Sequence, residues 1–474
     1  KRFMSATCPP RFARHIAAFG HWLQRNARQV RALQWVVVVG YAALLIIPVF
    51  VPLPDNASHI WNHITVFAAF VFWAIWWPFV LLSMVLFGRL WCGLLCPEGA
   101  LSEWCARHGL GWGIPKWIRW PGWPFVAFVT TTVYGQMISV YQYPKPALLI
   151  LGGSTVAAMG IGFLYTRGKR AWCRYLCPVS GVFALLAKLA PMHYQVDHQA
   201  WEQASKPLPN GSKRIPIQAV DCPPMLAVRA LQGASACHMC GRCSGYRDAV
   251  ALSWRSPSQE IVQLAGTQEA DRWQTRLIVF GLLGVAIGAF HWSASPWLIA
   301  SKQWLAEWLI DRDIMWPFND NIPWWLFTHY PEKNDAFHWL DAAVQLAYIF
   351  STAIVWSSIT TLLLAASVRI AGRWRSARLH HLAQSLIPMA GIGVFLGLSA
   401  TTLTLLRGDG IIFFWANDVR LALMLGSAAW TLWLARGIVR GWQSGRARSI
   451  CSMLVMLLLT CWINSAWGWL FWWW

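Results

Sequence analysis

The stretch ITVFAAFVFWAIWWPFVLLSMVLFGRLWCGLLCP, from Ile64 to Pro97, decides the fold. Its first part, to Phe87, holds no charged residue. A hydrocarbon core of about 30 Å is crossed by about 20 apolar residues in a helix, so this part predicts a membrane-crossing helix. Directly after it come Arg89 and the pair Cys92 and Cys96, closed by Pro97. Apolar runs of this kind recur along the chain. Its 474 residues are 57% hydrophobic and 12% charged, with 36 tryptophans, which excludes an ordinary soluble protein. Nine spans are predicted, near 33–53, 64–87, 123–141, 147–166, 276–295, 341–368, 384–406, 420–435 and 450–470. The fold class is thus an all-α integral membrane protein.

Orientation follows from lysine and arginine, which cytoplasmic loops retain. Arg11, Arg14, Arg25, Arg28 and Arg31 precede the first span without an acid, and Arg167, Lys169, Arg170 and Arg174 follow the fourth. Arg369, Arg373, Arg375 and Arg378 follow the sixth, and Arg436, Arg440, Arg446 and Arg448 follow the eighth. With alternating helices all of these share one face. The loop 296–340 is acidic instead, with Glu307, Asp311, Asp313, Asp320, Glu332 and Asp335, and falls outside. The N-terminus is expected in the cytoplasm, the C-terminus in the periplasm. The +20 charge then reflects topology and anionic membrane lipid, and nucleic acid is an unnecessary partner. No cleavable signal peptide is expected, because the first apolar run begins at Leu33 and is long enough to span. Four segments result: a basic N-terminus 1–32, a four-helix membrane domain 33–190, a cytoplasmic segment 191–275, and a membrane domain 276–474 of about five helices.

Eight of the twelve cysteines lie in tight clusters on the predicted cytoplasmic side, where a reducing compartment favours metal or redox chemistry over disulfides. Trp91-Cys92-Gly93-Leu94-Leu95-Cys96-Pro97 is repeated as Trp172-Cys173-Arg174-Tyr175-Leu176-Cys177-Pro178. Each copy closes an apolar span and follows an arginine, Arg89 or Arg170. Cysteines four apart share a helix face, and the proline limits continuation of the helix. Two such hairpins bring four thiols together beside cationic side chains, which suits an anionic 4Fe-4S cluster. A buried, inert role for the cysteines would fit one copy; duplication with matching Trp and Pro argues for metal. Zinc competes, since four thiolates also build a closed zinc site.

The third cluster is Cys237-His238-Met239-Cys240-Gly241-Arg242-Cys243, preceded by Cys222-Pro223. A C-x2-C-x2-C triplet holds three corners of a cubane, and bacterial ferredoxins append a fourth cysteine that ligates the other cluster. Arg247 stands in that place here. Cys222-Pro223 matches the C-P of a first ferredoxin half whose triplet is missing, so Cys222 is expected to complete the site of Cys237, Cys240 and Cys243. Two 4Fe-4S clusters are therefore expected. No C-x-x-C-H for a c-type haem occurs. The segment 191–275 is too short for a large core and suits a compact metal-stapled module.

Over roughly residues 30–250 the chain resembles the NapH/NosR/CcoG-type membrane polyferredoxins, on its duplicated C-x3-C-P motifs and the ferredoxin-like segment after them. The resemblance implies electron transfer at the bacterial inner membrane. The donor would be the quinol pool or a cytoplasmic reductant, and the acceptor a periplasmic or membrane redox partner such as a reductase or cytochrome. It also leaves open an assembly factor that reduces or handles metal for a copper or haem enzyme, as in the CcoG branch. Departures are the half ferredoxin segment and five added spans after residue 275; no flavin-binding domain of the NosR kind is evident.

An electron leaving cytoplasmic clusters for a periplasmic acceptor must cross about 30 Å, so quinone or b-haem is considered. His63, His291, His329 and His338 fall near the outer face and His380 and His381 near the inner, where polar anchoring competes with haem ligation. The run Ser399-Ala400-Thr401-Thr402 faintly resembles a flavin-attachment motif, against the more ordinary reading of hydroxyl residues in helix packing. The tryptophans read as interfacial belts. Cys8, Cys105, Cys451 and Cys461 lack spaced partners and are expected as free thiols. No catalytic residue is assigned. Transport would require helices broken around a midplane site, whereas these hairpins end in metal motifs.

Overall fold

A computed structural model describes residues 10–55, 57–204, 219–265, 272–443 and 445–474. Among the described residues eight helices are long and apolar enough to cross a membrane: Ala27–Phe50, Ile64–Phe87, Pro144–Leu164, Arg272–His291, Trp339–Ala371, Ser376–Gly408, Ala416–Gly441 and Arg446–Trp473. Among the described residues the sheets are two short antiparallel pairs, Met192–Val196 with Val250–Trp254 and His329–Tyr330 with Asp335–Ala336. The chain is an all-α membrane protein.

The predicted third span is the one that differs. Instead of running over 123–141 it is the 15-residue helix Trp123–Met137, about 22 Å long at 1.5 Å per residue and short of the hydrocarbon thickness. The apolar sequence continues, but Ser139 takes a left-handed φ of 50° and Val140 bonds back to the Gly135 carbonyl at 2.9 Å. A Cβ at Gly135 would stand 3.2 Å from the Val140 side chain, so the turn folds back onto the helix that it ends. Among the described residues eight of the nine expected spans are thus long helices, and the third is this shorter one, the ninth apolar element.

The described chain divides into two compact units, Lys1–Ala43, Val80–Trp123 and Ser154–Leu264 in one, and Leu44–Phe79, Pro124–Gly153 and Ala265–Trp474 in the other. All eight clustered cysteines belong to the first.

The second unit is built by close helix packing. Helix Arg272–His291 presents Gly284 and Gly288 to helix Trp339–Ala371, where added Cβ atoms would meet the carbonyls of Ala353 and Ile349 at 3.0 and 2.9 Å. Small residues four apart let two backbones approach in this way. Ser367 and Ser452 bridge helices by their hydroxyls at 2.8 Å. Pro78 has no N–H for the carbonyl of Ala74, and the Thr402 hydroxyl donates to that carbonyl at 3.0 Å. Ser399 donates to its own helix at Leu396. The hydroxyl run 399–402 thus serves helix packing.

Of the histidines weighed as haem ligands, His63, His338 and His380 have hydrogen-bonding posts, whereas His291 Nε2 and His329 Nδ1 are buried without a partner. His63 caps helix Ile64–Ala69 by accepting from the Thr65 N–H. His338 forms a capping box with Asp341 at the start of Trp339–Ala371. His291 is buried against Trp467 and Trp474, and His380 bonds Thr275. The acidic loop 296–340 holds a helix, Pro296–Ile310, whose Lys302 pairs with Asp341.

Candidate metal centre

The two C-x3-C-P copies fold alike. Each begins with a five-residue helix, Leu90–Leu94 or Ala171–Tyr175. In each, the tryptophan carbonyl accepts two N–H groups: Leu95 at 2.9 Å and Cys96 at 3.0 Å on Trp91, Leu176 at 2.9 Å and Cys177 at 3.0 Å on Trp172. Proline then starts or precedes the next helix, Pro97–His108 or Ser180–Ala187. The repeat in sequence is a repeat in backbone hydrogen bonding, which fixes how the paired thiols are spaced.

The arginine ahead of each copy reaches into the other. Arg170 donates to the Cys92 carbonyl at 2.5 Å and to Glu103 at 2.9 Å. Arg89 donates to the Ser180 hydroxyl at 2.9 Å, which in turn donates to the Cys173 carbonyl at 2.8 Å. Both arginines are buried. The Trp172 indole donates to Glu98 at 3.1 Å, and Gln34 donates to the Gly93 carbonyl at 2.9 Å. Carbonyls that flank the cysteines are thereby paired, and the thiols are left for another partner.

The third cysteine cluster rests on a two-stranded sheet, Met192–Val196 with Val250–Trp254, and its loop is held against the second repeat. Arg174 donates to the carbonyls of Pro224 and Met225 at 2.5 and 2.7 Å, and the Arg170 N–H to that of Pro223 at 2.8 Å. These contacts dock the segment that begins at Cys222. Gly241 sits at φ 79°, where a side chain is strained, and an added Cβ would fall 2.6 Å from that of Leu23. The Cys222 sulfur accepts the Leu226 N–H at 3.4 Å, and the Cys237 sulfur that of Met239 at 3.4 Å.

Electrostatics group the thiols as two fours. Burial pushes the Cys96 thiol well above its usual range, and Cys173 and Cys92 push it further. Cys173 rises to about 12, chiefly by burial, with Arg170 opposing and Cys92 adding. Cys177 is raised by burial, then Glu98, Cys173, Cys96 and Cys92. In the second set Cys237 rises to about 12 by burial and Cys240, with Cys222 adding. Cys243 is raised by burial, Cys237, Cys240 and Cys222, and Cys222 by burial with Cys240 adding. Mutually repelling buried thiols stay protonated on their own, and a bound cation reverses that.

The fit to an anionic cluster has a second sign. Arg89 Nε, Arg170 Nη2 and both ring nitrogens of His238 are buried without a hydrogen-bond partner, so donors surround the thiols. Among the described residues no three Cys, His, Asp or Glu side chains stand close enough to share one ion. A cubane makes no such demand, since each corner takes one thiolate.

Glu103, which motif reading does not single out, joins the parts. It is 4% exposed and accepts from Arg170, from Arg107, and from Arg242 at 2.7 Å. Burial works to raise its carboxyl, but Arg170, Arg242 and Arg107 hold it at about 2. It follows the first motif, Arg170 precedes the second, and Arg242 lies between Cys240 and Cys243. Arg255 is a second such brace: it donates to Glu260 and to the carbonyls of Ala187, Lys188 and Ala190, while Glu260 accepts the Ala234 N–H at 2.8 Å. Their only sequence signal is a charged residue in apolar surroundings. Of the unclustered cysteines, Cys105 is buried and Cys451 and Cys461 are exposed, all unbridged; Cys8 lies outside the described residues.

A family model for a 4Fe-4S binding domain matches residues 69–115 and 150–195, ranges that take in one C-x3-C-P motif each. The chain is also similar to YccM of Escherichia coli (strain K12), described as an electron transport protein, at 23% identity over 237 residues. That match covers 44% of this chain and 62% of the relative, so the chain spans less than two thirds of the relative's length. No solved structure matches it significantly. With the apolar helices, these likenesses support a membrane-type ferredoxin, and they do not separate the NapH, NosR and CcoG branches.

Proposed function

We propose that this chain is a membrane-bound electron-transfer protein with two 4Fe-4S clusters, one held by Cys92, Cys96, Cys173 and Cys177, the other by Cys222, Cys237, Cys240 and Cys243. A single observation carries the reading: the two thiol-bearing loops touch. At Gly93, between the cysteines of the first motif, an added Cβ would lie 2.1 Å from the His238 carbonyl oxygen and 2.9 Å from the Cys240 nitrogen. Electron transfer falls steeply with distance, and one layer of backbone is a short path. Arg170 supports the same pairing: burial opposes its charge and Glu103 favours it, and Cys173 of one set and Cys240 of the other add to Glu103.

A bound 4Fe-4S cluster supplies one-electron chemistry at a potential set by ligands, hydrogen bonds and burial. The chain's own residues supply thiolates, the N–H groups of Leu226 and Met239 toward sulfur, and guanidinium groups that offset negative charge. The basic loops motivate a cytoplasmic position for this face at the bacterial inner membrane, with the N-terminus inside and the C-terminus outside. Electrons would pass between quinol or a cytoplasmic donor and a membrane or periplasmic redox partner, with quinone or haem as the carrier if the acceptor is on the far face.

Iron and acid-labile sulfide analysis of anaerobically purified protein tests the cofactor, with eight of each expected per chain at four per cluster. Stoichiometric zinc without sulfide overturns the reading. Electron paramagnetic resonance of reduced variants tests the ligand sets. Cys222→Ser is expected to remove the same signal as Cys240→Ser and to spare the one lost in Cys92→Ser and Cys177→Ser. Retention of both signals in Cys222→Ser refutes its assignment.

A further inference from the structure

His238 stands in the C-x2-C-x2-C loop between Cys237 and Cys240, and nothing so far gives its side chain a task. It is 1% exposed, and neither ring nitrogen has a hydrogen-bond partner. A buried polar group left in that condition costs about 1–3 kcal/mol, so a fold that keeps it has a partner for it. The surrounding charges narrow the choice. Arg89, which reaches the Ser235 carbonyl, and Arg170, which reaches that of Cys92, lie at the same junction, and each also buries a nitrogen without a partner. The carbonyl of His238 abuts Gly93 of the first repeat. His238 is therefore carried by one thiol loop and lies against the other. Imidazole and guanidinium nitrogens left together without a partner lack an acceptor. An acceptor with negative charge fits.

We infer that His238 is a positioning residue that donates a ring N–H to a sulfur of the group held by Cys92, Cys96, Cys173 and Cys177. This rests on the two-cluster reading above. A donor to sulfur withdraws electron density and favours the reduced state, so it raises the potential of that group. The ferredoxin-type loop thereby adjusts its neighbour's potential through one side chain, without a covalent ligand to it.

The experiment is a potentiometric titration followed by electron paramagnetic resonance on the whole protein in detergent, in wild type, His238→Leu and His238→Gln, with iron and sulfide measured first. The two-cluster reading fails separately, if wild type itself lacks sulfide. With eight irons retained, His238→Leu is expected to lower the midpoint potential of the signal that depends on Cys92. The signal that depends on Cys240 should hold, and His238→Gln, which keeps an N–H, should restore most of the difference. Pulsed resonance on protein with 15N-labelled histidine provides a second reading: a weak nitrogen coupling on the Cys92-dependent signal, absent in His238→Leu. Should His238→Leu lose a cluster, the Gln variant and the coupling still decide. An unchanged potential, equal shifts in both variants, a shift confined to the Cys240-dependent signal, or no nitrogen coupling each overturn the inference.

Discussion

Replacing Glu103 by Gln removes the one carboxylate on which Arg170, Arg242 and Arg107 converge. The size of the effect follows from the carboxyl itself, whose fall from 4.5 to about 2 corresponds to about 3 kcal/mol at 1.36 kcal/mol per tenfold. Solvent screening takes little from this, since the Glu103 side chain is 5% exposed and that of Arg170 is 1% exposed. Deleting one member of a buried pair costs about 3–5 kcal/mol in general, so the two routes agree. The contribution is complete above pH 4.5 and is lost as pH falls toward 2, because the folded state holds the carboxyl below its usual value. At neutral pH, Glu103→Gln is expected to weaken the closed arrangement of the three loops about a hundredfold, the equivalent of about 3 kcal/mol. The assay is sulfide content after purification together with the thermal unfolding midpoint in detergent. The double variant Glu103→Gln with Arg170→Met should recover part of the loss, since it no longer buries an unpaired charge. Full sulfide and an unchanged midpoint in Glu103→Gln would refute the argument, and so would a double variant worse than the sum of its parts.

Gly93→Ala places a methyl where only 2.1 Å separates it from the His238 carbonyl, an overpacking worth about 1–3 kcal/mol or more; both resonance signals should broaden or decline together, and two unaltered signals count against a rigid junction. Thr402→Val leaves the Ala74 carbonyl unpaired beside Pro78 and is expected to cost about 1 kcal/mol, read as a lower unfolding midpoint in detergent with cluster content unchanged. For topology, reporter fusions at Pro115 and Arg229 should report the cytoplasm and a fusion at Gln142 the periplasm; identical behaviour at Pro115 and Gln142 means that the 15-residue helix Trp123–Met137 does not cross.

The spans were legible because membrane burial writes itself in composition: Ile64–Phe87 has no charged residue, and its helix occupies the stretch anticipated for it. The third span misled for the same reason. Ile138, Val140 and Tyr141 are as apolar as their neighbours, and hydropathy does not register the left-handed turn at Ser139. The cysteine repeat was legible twice over, in residue types and in spacing, and its backbone bonds match copy for copy. What spacing could not supply was the bracing. Glu103 to Arg170 and Arg242 joins residues far apart in the chain, and nothing local distinguishes Glu103 from Glu98 five residues earlier. Histidine shows how little position along the chain tells of a side chain's partners. Near the membrane faces His63 and His338 cap helices, while His238, inside a cysteine motif, is buried with both nitrogens unpartnered.

The bracing bears on function through rigidity. A carrier exchanges electrons quickly when its surroundings rearrange little between redox states, and mobile dipoles or water near the redox group oppose this. Here the flanking carbonyls of Cys92 and Cys173 are each committed to a buried arginine, directly or through Ser180, and the Cys222 segment is tied by Arg174 and Arg170. The ion pairs of Arg170 with Glu103 and of Arg255 with Glu260 are among the most buried in the first unit. Such pairs add little net stability compared with an apolar replacement. Their retention at the junction of two thiol loops is better explained by what they fix in place: fixed positive charge beside sites that gain and lose an electron, with little freedom to follow it.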